Sequence, residues 1–403
     1  MPIRVVDYMI IYYPKCEIDN SFLASWQGLA YTSHSIQVFV LPIQILTFWL
    51  IVQKTPDSMK SVKWPLFVVQ FWCTLLDITV GFLITPYIFL PSIAFAGVGI
   101  FSWLGISQTV QLIFLLILTA VLNVSLIYLF ESRSSSIENN IFKLRRRCSK
   151  IIYYCWNFAA SSIILFSLAH IPTNQEEAKL NLLESNPCPT PEFFSLPVLV
   201  WLTDQYWISI TFSLMSPLIL LNAAGNVSFH AICSIYYLYL APSTVISIQT
   251  RQLQRRFFFG VVIQTLVPTV ICGIPYIIIS LASASDKITQ EVTNFLVIVI
   301  GFHGFVQSIT VILVHRAYRH QFKMFLLGFV RKRLIPSFTL VLKMVYLQME
   351  MSCRNMKKSS IYKKIFAENR VLLCEKVYSE AHIVVKKSCL LSHCCLILIH
   401  YFR

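Results

Sequence analysis

Apolar residues along this chain do not alternate with polar ones but gather into blocks of about 20 or more, the length at which a helix rising 1.5 Å per residue crosses roughly 30 Å of hydrocarbon. Seven blocks stand out, at residues 28–52, 64–84, 105–130, 151–171, 207–240, 257–281 and 292–314. The fifth is long enough to continue as helix beyond a bilayer. The pattern predicts an all-α membrane protein, a bundle of seven transmembrane helices within residues 25–314, preceded by an N-terminal segment of residues 1–24. Asp7 interrupts the apolar part of that segment and no small-residue cleavage site follows, so the first span is expected to serve as the insertion signal.

Composition agrees with this reading. Of 403 residues 56% are hydrophobic and only 13% charged, against a usual half and quarter in soluble domains. Charge then orients the bundle. Lys54, Lys60 and Lys63 follow the first span, Arg133, Lys143, Arg145, Arg146, Arg147 and Lys150 the third, and Arg251, Arg255 and Arg256 the fifth. The opposite loops hold only Arg4, Lys15, Lys179 and Lys287. Positive loops stay in the cytoplasm, which predicts the N-terminus outside and the C-terminus inside. Much of the net charge of +15 sits in a basic tail, residues 331–403, whose Lys and Arg favour anionic lipid over nucleic acid. Cys389, Cys394 and Cys395 there are candidates for palmitoylation or are plain thiols. Only Cys16 and Cys188 of the twelve cysteines fall on the expected outer face, where one disulfide can form.

The sixth block, within QLQRRFFFGVVIQTLVPTVICGIPYIII (residues 252–279), carries Pro268 and Pro275. A membrane tolerates such prolines because neighbouring helices, water and side chains take up the freed carbonyls. Two turns apart, they bend the helix in related directions, making either a hinge that swings Arg255 and Arg256 or a static kink that improves packing.

At this point several motifs resemble nematode serpentine chemoreceptors, class H. They are Gln249-Thr250 with Leu253 to Phe258, Ile263-Gln264, Pro268 and Pro275; Lys54-Thr55-Pro56 with Met59 and Lys63; Asp77; Leu129 to Arg133, with Ser132 where Asn is more usual; Pro187-Cys188-Pro189; and HRAYRH from His315 to His320. The resemblance covers roughly residues 15–328. It implies a seven-helix receptor at sensory-neuron membranes, in cilia, that reads environmental chemicals and acts through heterotrimeric G proteins. The residues after 330 depart from the family, whose members usually end soon after the seventh span. Asp-Arg-Tyr after the third span and Asn-Pro-x-x-Tyr in the seventh are absent.

Intramembrane polar groups are costly unless paired or facing a cavity. Asp77 is the only acidic residue inside a predicted span. His303, Gln307 and Thr310 share one face of the seventh, and Asn222, Asn226 and His230 one face of the fifth. They are expected to form an internal hydrogen-bond network of Asp77, Asn222, Asn226, His303 and Gln307, with ordinary interhelical bonds as the alternative. A small-molecule pocket is expected in the outer half, touched by Gln108, Gln111, Tyr276 and His303. Residues 172–206 form either a lid or a solvated loop. Arg133, Arg145, Arg146, Arg147, Arg251, Arg255 and Arg256 are candidates for facing a G protein. Residues 315–330 read as an amphipathic juxtamembrane helix, with Tyr318, Phe322, Phe325 and Phe329 in line.

The competing classes find less support. A transporter or channel usually carries several intramembrane charges or paired broken helices, and a membrane metalloenzyme needs clustered His boxes. Neither is visible, so no enzyme activity, metal or cofactor is expected. Both Asn-x-Ser patterns, at Asn123 and Asn226, fall inside spans.

Overall fold

The structure, a computed structural model, describes residues 4–16, 21–90, 92–137, 140–240, 248–282 and 288–329, together with positions 344 and 347. Almost all of the tail after 330, with Cys389, Cys394 and Cys395, lies outside the described residues, as does Lys287. Residues up to Phe322 form one compact unit.

Seven helical segments are long and apolar enough to cross a membrane: Trp26–Lys54, Val62–Leu83, Gln108–Ser135, Arg147–His170, Gln205–Leu240, Gln254–Ile279 and Gln290–Val314, here spans one to seven. Helices prevail because hydrocarbon offers no partner to a backbone N–H or C=O, so each segment must satisfy its own. The four odd-numbered spans start at one end of the bundle, and each starts on a polar cap. The side-chain oxygens of Ser25, Ser107, Asp204 and Thr289 accept from Gly28, Val110, Tyr206 and Val292 N–H respectively. Each such cap contributes about 1 kcal/mol and marks where its helix begins.

Regular α-helix is broken at five places that the apolar pattern does not register. Span two opens into a π turn over Thr79–Leu83, and span four tightens to 3-10 helix over Ile163–His170. Span five has π segments at Ile210–Met215 and Tyr236–Leu240. Span seven consists of two helices, Gln290–Ile300 and His303–Val314. Span six, by contrast, belongs to one helix, Ile248–Ala282, that runs through both prolines. Both prolines are buried, so both face the bundle interior.

The end where the odd spans begin is covered by folded chain. Strand β1 (Pro86–Phe89) pairs antiparallel with β2 (Ala94–Gly97), which pairs with β3 (Leu199–Val200). The sequence reading expected no sheet; the strands are too short and too buried to show alternation. Tyr87 and Val200 are fully buried, and Phe89, Ala94, Ala96 and Phe193 join them in a cluster that continues into Leu29, Leu76 and Val80 of the bundle. Residues 172–206 are not an open loop: they hold helix Gln175–Ser185, a short turn Glu192–Ser195 and β3. Cys16 and Cys188 are joined by a disulfide. Tyr8 and Tyr13 donate from their hydroxyls to Pro187 O at 3.0 Å and Pro189 O at 2.9 Å. The cap is also bonded to spans one and seven: Tyr87 OH donates to Ala24 O at 2.6 Å, and Asn294 Nδ2 to Leu23 O at 2.8 Å. Burial pushes the Tyr87 phenol up, so it remains a donor throughout the physiological range.

A second apolar cluster fills the opposite, basic end, with Leu50, Ile51, Leu66, Val69, Leu129, Phe130, Phe257, Val261, Val311 and Tyr318. Between the two clusters lies a polar layer.

Candidate functional site

That layer centres on Asp77, which is fully buried. Its Oδ1 accepts from Gly304 N–H at 2.9 Å and lies 2.8 Å from His303 Nδ1; its Oδ2 accepts from Gln44 Nε2 and Phe305 N–H, both at 2.8 Å. His303 Nδ1 is also 2.9 Å from Ile300 O. Both its neighbours are acceptors, so this nitrogen carries a hydrogen, and Nε2 has no hydrogen-bond partner among the described residues. The break in span seven makes the arrangement possible. Restarting the helix at His303 leaves the first N–H groups without intrahelical partners, and a carboxylate is the natural acceptor for such an N-terminus. Close approach needs a residue without a side chain: a Cβ on Gly304 would come within 2.7 Å of Asp77 Oδ2. Span two and the second half of span seven are thereby clamped together.

Asn222 and Asn226, expected in the same network, belong to a separate one between spans three, four and five. Asn222 Nδ2 donates to Asn157 Oδ1 at 3.1 Å, Asn226 Nδ2 to Asn222 O at 2.8 Å, and Tyr153 OH to Asn226 Oδ1 at 2.7 Å. The Tyr153 hydroxyl has one hydrogen, and an amide oxygen takes it, so at 3.0 Å it accepts from His230 Nε2. His230 Nδ1 then faces Ser134 Oγ at 2.8 Å. The two networks are separate because the fifth and seventh spans present their polar faces to different neighbours. Gln307 is buried, yet its Nε2 has no hydrogen-bond partner among the described residues.

Beside this chain lies an acid that the sequence reading placed outside the membrane. Span three runs on to Ser135, so Glu131 is fully buried. Its carboxylate accepts from Ser135 Oγ and Tyr154 OH, each at 2.6 Å, with Lys150 Nζ at 3.5 Å. The apolar block ended one residue too early, at Phe130, to reveal it. Asp77 is therefore not the only acidic group within a span.

The expected ligand contacts fare differently from one another. Gln108 and Gln111 are occupied by the chain itself. Gln108 Oε1 accepts from Gly97 N–H at 2.7 Å, and Gln111 Nε2 donates to Ile106 O at 2.8 Å and Ser102 Oγ at 3.0 Å. They hold the β2-to-span-three connection rather than lining an open cavity, because the helix begins where that connection folds back over it. Tyr276 is half-buried on span six. His303 is 3% exposed.

The basic end shows a similar division. Arg145, Arg146, Arg147 and Arg256 are exposed. Arg251 and Arg255 donate from Nε to the same carbonyl, Leu238 O, at 2.7 and 2.8 Å, tying the foot of span six to the end of span five. Arg133, expected on the surface, is buried; its Nη2 donates to Gln254 O at 2.9 Å and its guanidinium lies 5.1 Å from the centre of the Phe257 ring. The extra turn of span three carries it inward. Tyr318, just past span seven in helix Arg316–Phe329, is fully buried, with its hydroxyl 2.8 Å from Thr55 Oγ1.

His315, at the exit from span seven, donates from Nε2 to Gln264 Oε1 at 2.8 Å. Burial among Phe257, Gln264 and Tyr318 holds its imidazole down to about 4. The neutral form is thus favoured in the folded chain, so the contact contributes fully above pH 6.5 and is lost as pH falls through 4, a swing of about 3 kcal/mol. Detergent-solubilised protein is expected to melt at lower temperature as pH drops through this window. His315→Gln removes the titrating group, so its melting temperature should fall less over the same range.

The comparisons with known proteins come to the same place. The family model described as "Serpentine type 7TM GPCR chemoreceptor Srh" matches residues 24–328. "Serpentine receptor class H-72" of Caenorhabditis elegans is 36% identical over 315 residues, which cover 77% of this chain and 89% of that protein.

Proposed function

Because the chain belongs to the class H family of serpentine seven-transmembrane G-protein-coupled chemoreceptors, we propose that it binds a small environmental molecule in the half of the bundle beneath the cap and signals by movement of span six. Membership makes it a multi-pass membrane receptor and not an enzyme, with a small molecule and a G protein as its classes of partner. In this reading the basic end lies in the cytoplasm, where positive loops are retained, and the receptor resides in the plasma membrane of sensory cilia. Tyr276 of span six and the unpartnered Nε2 of His303 in span seven are the groups offered to the ligand. Gln108 and Gln111 support the floor of the cap. Arg145, Arg146, Arg147 and Arg256, already exposed, meet the G protein, while Arg251 and Arg255 join them once released from Leu238.

One observation carries this proposal: a single helix, Ile248–Ala282, passes through two buried prolines with its foot tied by hydrogen bonds to spans three and five. Each proline removes one rung of the helix ladder, so bending there is cheaper than elsewhere along the span. A ligand that favours the bent arrangement shifts the population toward it.

Testing requires cells expressing the receptor, a panel of volatile and water-soluble compounds, and a G-protein readout. A response to at least one compound is expected. Pro268→Ala with Pro275→Ala should reach the surface normally but lower the ligand-evoked response about tenfold, the effect of about 1.4 kcal/mol on a two-state equilibrium. An unchanged response in that variant would exclude the hinge, and ligand-evoked ion current without any G protein would exclude the receptor mechanism.

A further inference from the structure

We propose that Phe257 is a catch: span three and the exit from span seven hold the foot of span six closed through contacts of the Arg133 guanidinium and the His315 imidazole with its ring. This rests on the receptor reading above and adds what keeps that receptor silent without ligand.

Two side chains from other spans meet at this ring. Arg133 lies 5.1 Å from the Phe257 ring centre, and the His315 ring lies 5.1 Å away at an interplanar angle of 27°. All three side chains are more than nine-tenths buried. Hydrogen bonds flank these contacts on each side. Arg133 reaches Gln254 O, three residues before Phe257, and His315 reaches Gln264, seven residues after it. The imidazole lies close against the helix at Gly260, where a Cβ would stand 3.0 Å from His315 Cε1 and crowd it. Tyr318 packs edge-on against His315 at 5.6 Å and anchors it through Thr55 of the first connection. The grip thus joins three spans and a loop at one ring.

Phe257 lies eleven residues before Pro268, about 16 Å along the helix, so a swing about the proline moves it bodily. It is also a grip that can open. A buried guanidinium is costly unless a carboxylate answers it, yet among the described residues no carboxylate forms an ion pair with Arg133. The neighbouring acid, Glu131, is committed to Tyr154, Ser135 and Lys150. In the closed state Arg133 has a carbonyl, a serine hydroxyl and a ring as its partners, and its Nε has none. Moving span six away exposes Arg133 to water, which recovers part of the energy lost with the ring. These residues position span six and do not touch ligand.

The test uses the full-length receptor in lipid nanodiscs, with fluorophores placed by non-natural amino acids at Gln252 and Ser149, both exposed. In parallel, basal G-protein output is measured in cells at matched surface expression. Phe257→Leu keeps an apolar side chain and removes the ring. It is expected to lengthen the Gln252–Ser149 distance without ligand and to raise the open fraction about tenfold, whereas Phe257→Tyr keeps the ring and should behave as wild type. A purely structural role predicts lost expression or lost response, not a gain of basal output. If the distance lengthens while basal output stays flat, the catch stands and the G-protein reading fails. If Phe257→Leu reaches the surface with an unchanged distance, the catch is overturned. Should that variant not fold, Gly260→Ala, which crowds His315, is judged by the same two outcomes.

Discussion

Asp77→Ala is expected to leave almost no receptor at the cell surface. Four donors converge on this carboxylate, from Gly304 N, Phe305 N, Gln44 Nε2 and His303 Nδ1, and alanine removes the acceptor of the first three, while His303 keeps only Ile300 O. Breaking a buried pair by removing one partner costs about 3 to 5 kcal/mol, and water cannot readily make up the loss inside the bundle. That is a large share of the 5 to 15 kcal/mol by which an ordinary domain is stable. Asp77→Asn should be milder. Its amide keeps one oxygen to accept from the backbone, and Gln44, whose Oε1 has no partner, can rotate to accept from the new NH2. With the oxygen in the place of Oδ1, it still accepts from Gly304 N–H and His303, and only Phe305 N–H is left facing a donor. Surface immunolabelling and thermal melting should rank wild type above Asp77→Asn above Asp77→Ala. Equal expression of Asp77→Ala and wild type would show that the clamp on span seven contributes little.

Cys16→Ser with Cys188→Ser is expected to loosen the cap while the bundle persists. The disulfide joins residues 172 apart, and for a free chain that closure restricts the unfolded state by about 5 kcal/mol. The chain here is not free, because spans one to four lie between the two cysteines and remain in the bilayer when the cap opens. The entropy at stake is that of the N-terminal segment and residues 172–206, so the loss should be nearer 2 kcal/mol. Hydrogen exchange should quicken at Tyr87, Phe95 and the helix Gln175–Ser185 and stay slow in span two around Asp77. If exchange rises uniformly through the spans, the cap and the bundle are one cooperative unit, contrary to this account. Retained ligand response in a loosened cap would further indicate that the cap shields the site without forming it.

Span number and the class of protein were legible because they depend on totals. A helix must bring enough apolar residues to cross hydrocarbon, whatever it packs against, and each block from 28–52 to 292–314 does so. Span ends were less legible. Glu131 was read as a boundary residue because hydropathy falls at charge, while the helix continues to Ser135 where Tyr154, Ser135 and Lys150 answer that charge. The cap shows the same limit: β1 and β2 are buried on both faces, which removes the alternation by which strands are read.

What the sequence determined alone was the apolar content of seven helices, the segregation of Lys and Arg to alternate loops, and the positions of Pro268, Pro275, Asp77 and His303. Tertiary structure alone decided which polar groups meet. Asp77 and His303 lie far apart in sequence and become neighbours because Gly304 admits the carboxylate to a restarted helix; Asn222 shares a face pattern with His303's span and ends against Asn157 instead. Periodicity states which residues share a face, but the rotation of each helix about its own axis depends on all its neighbours at once. That rotation brings Arg133 inward against Phe257 and leaves Arg145 outside.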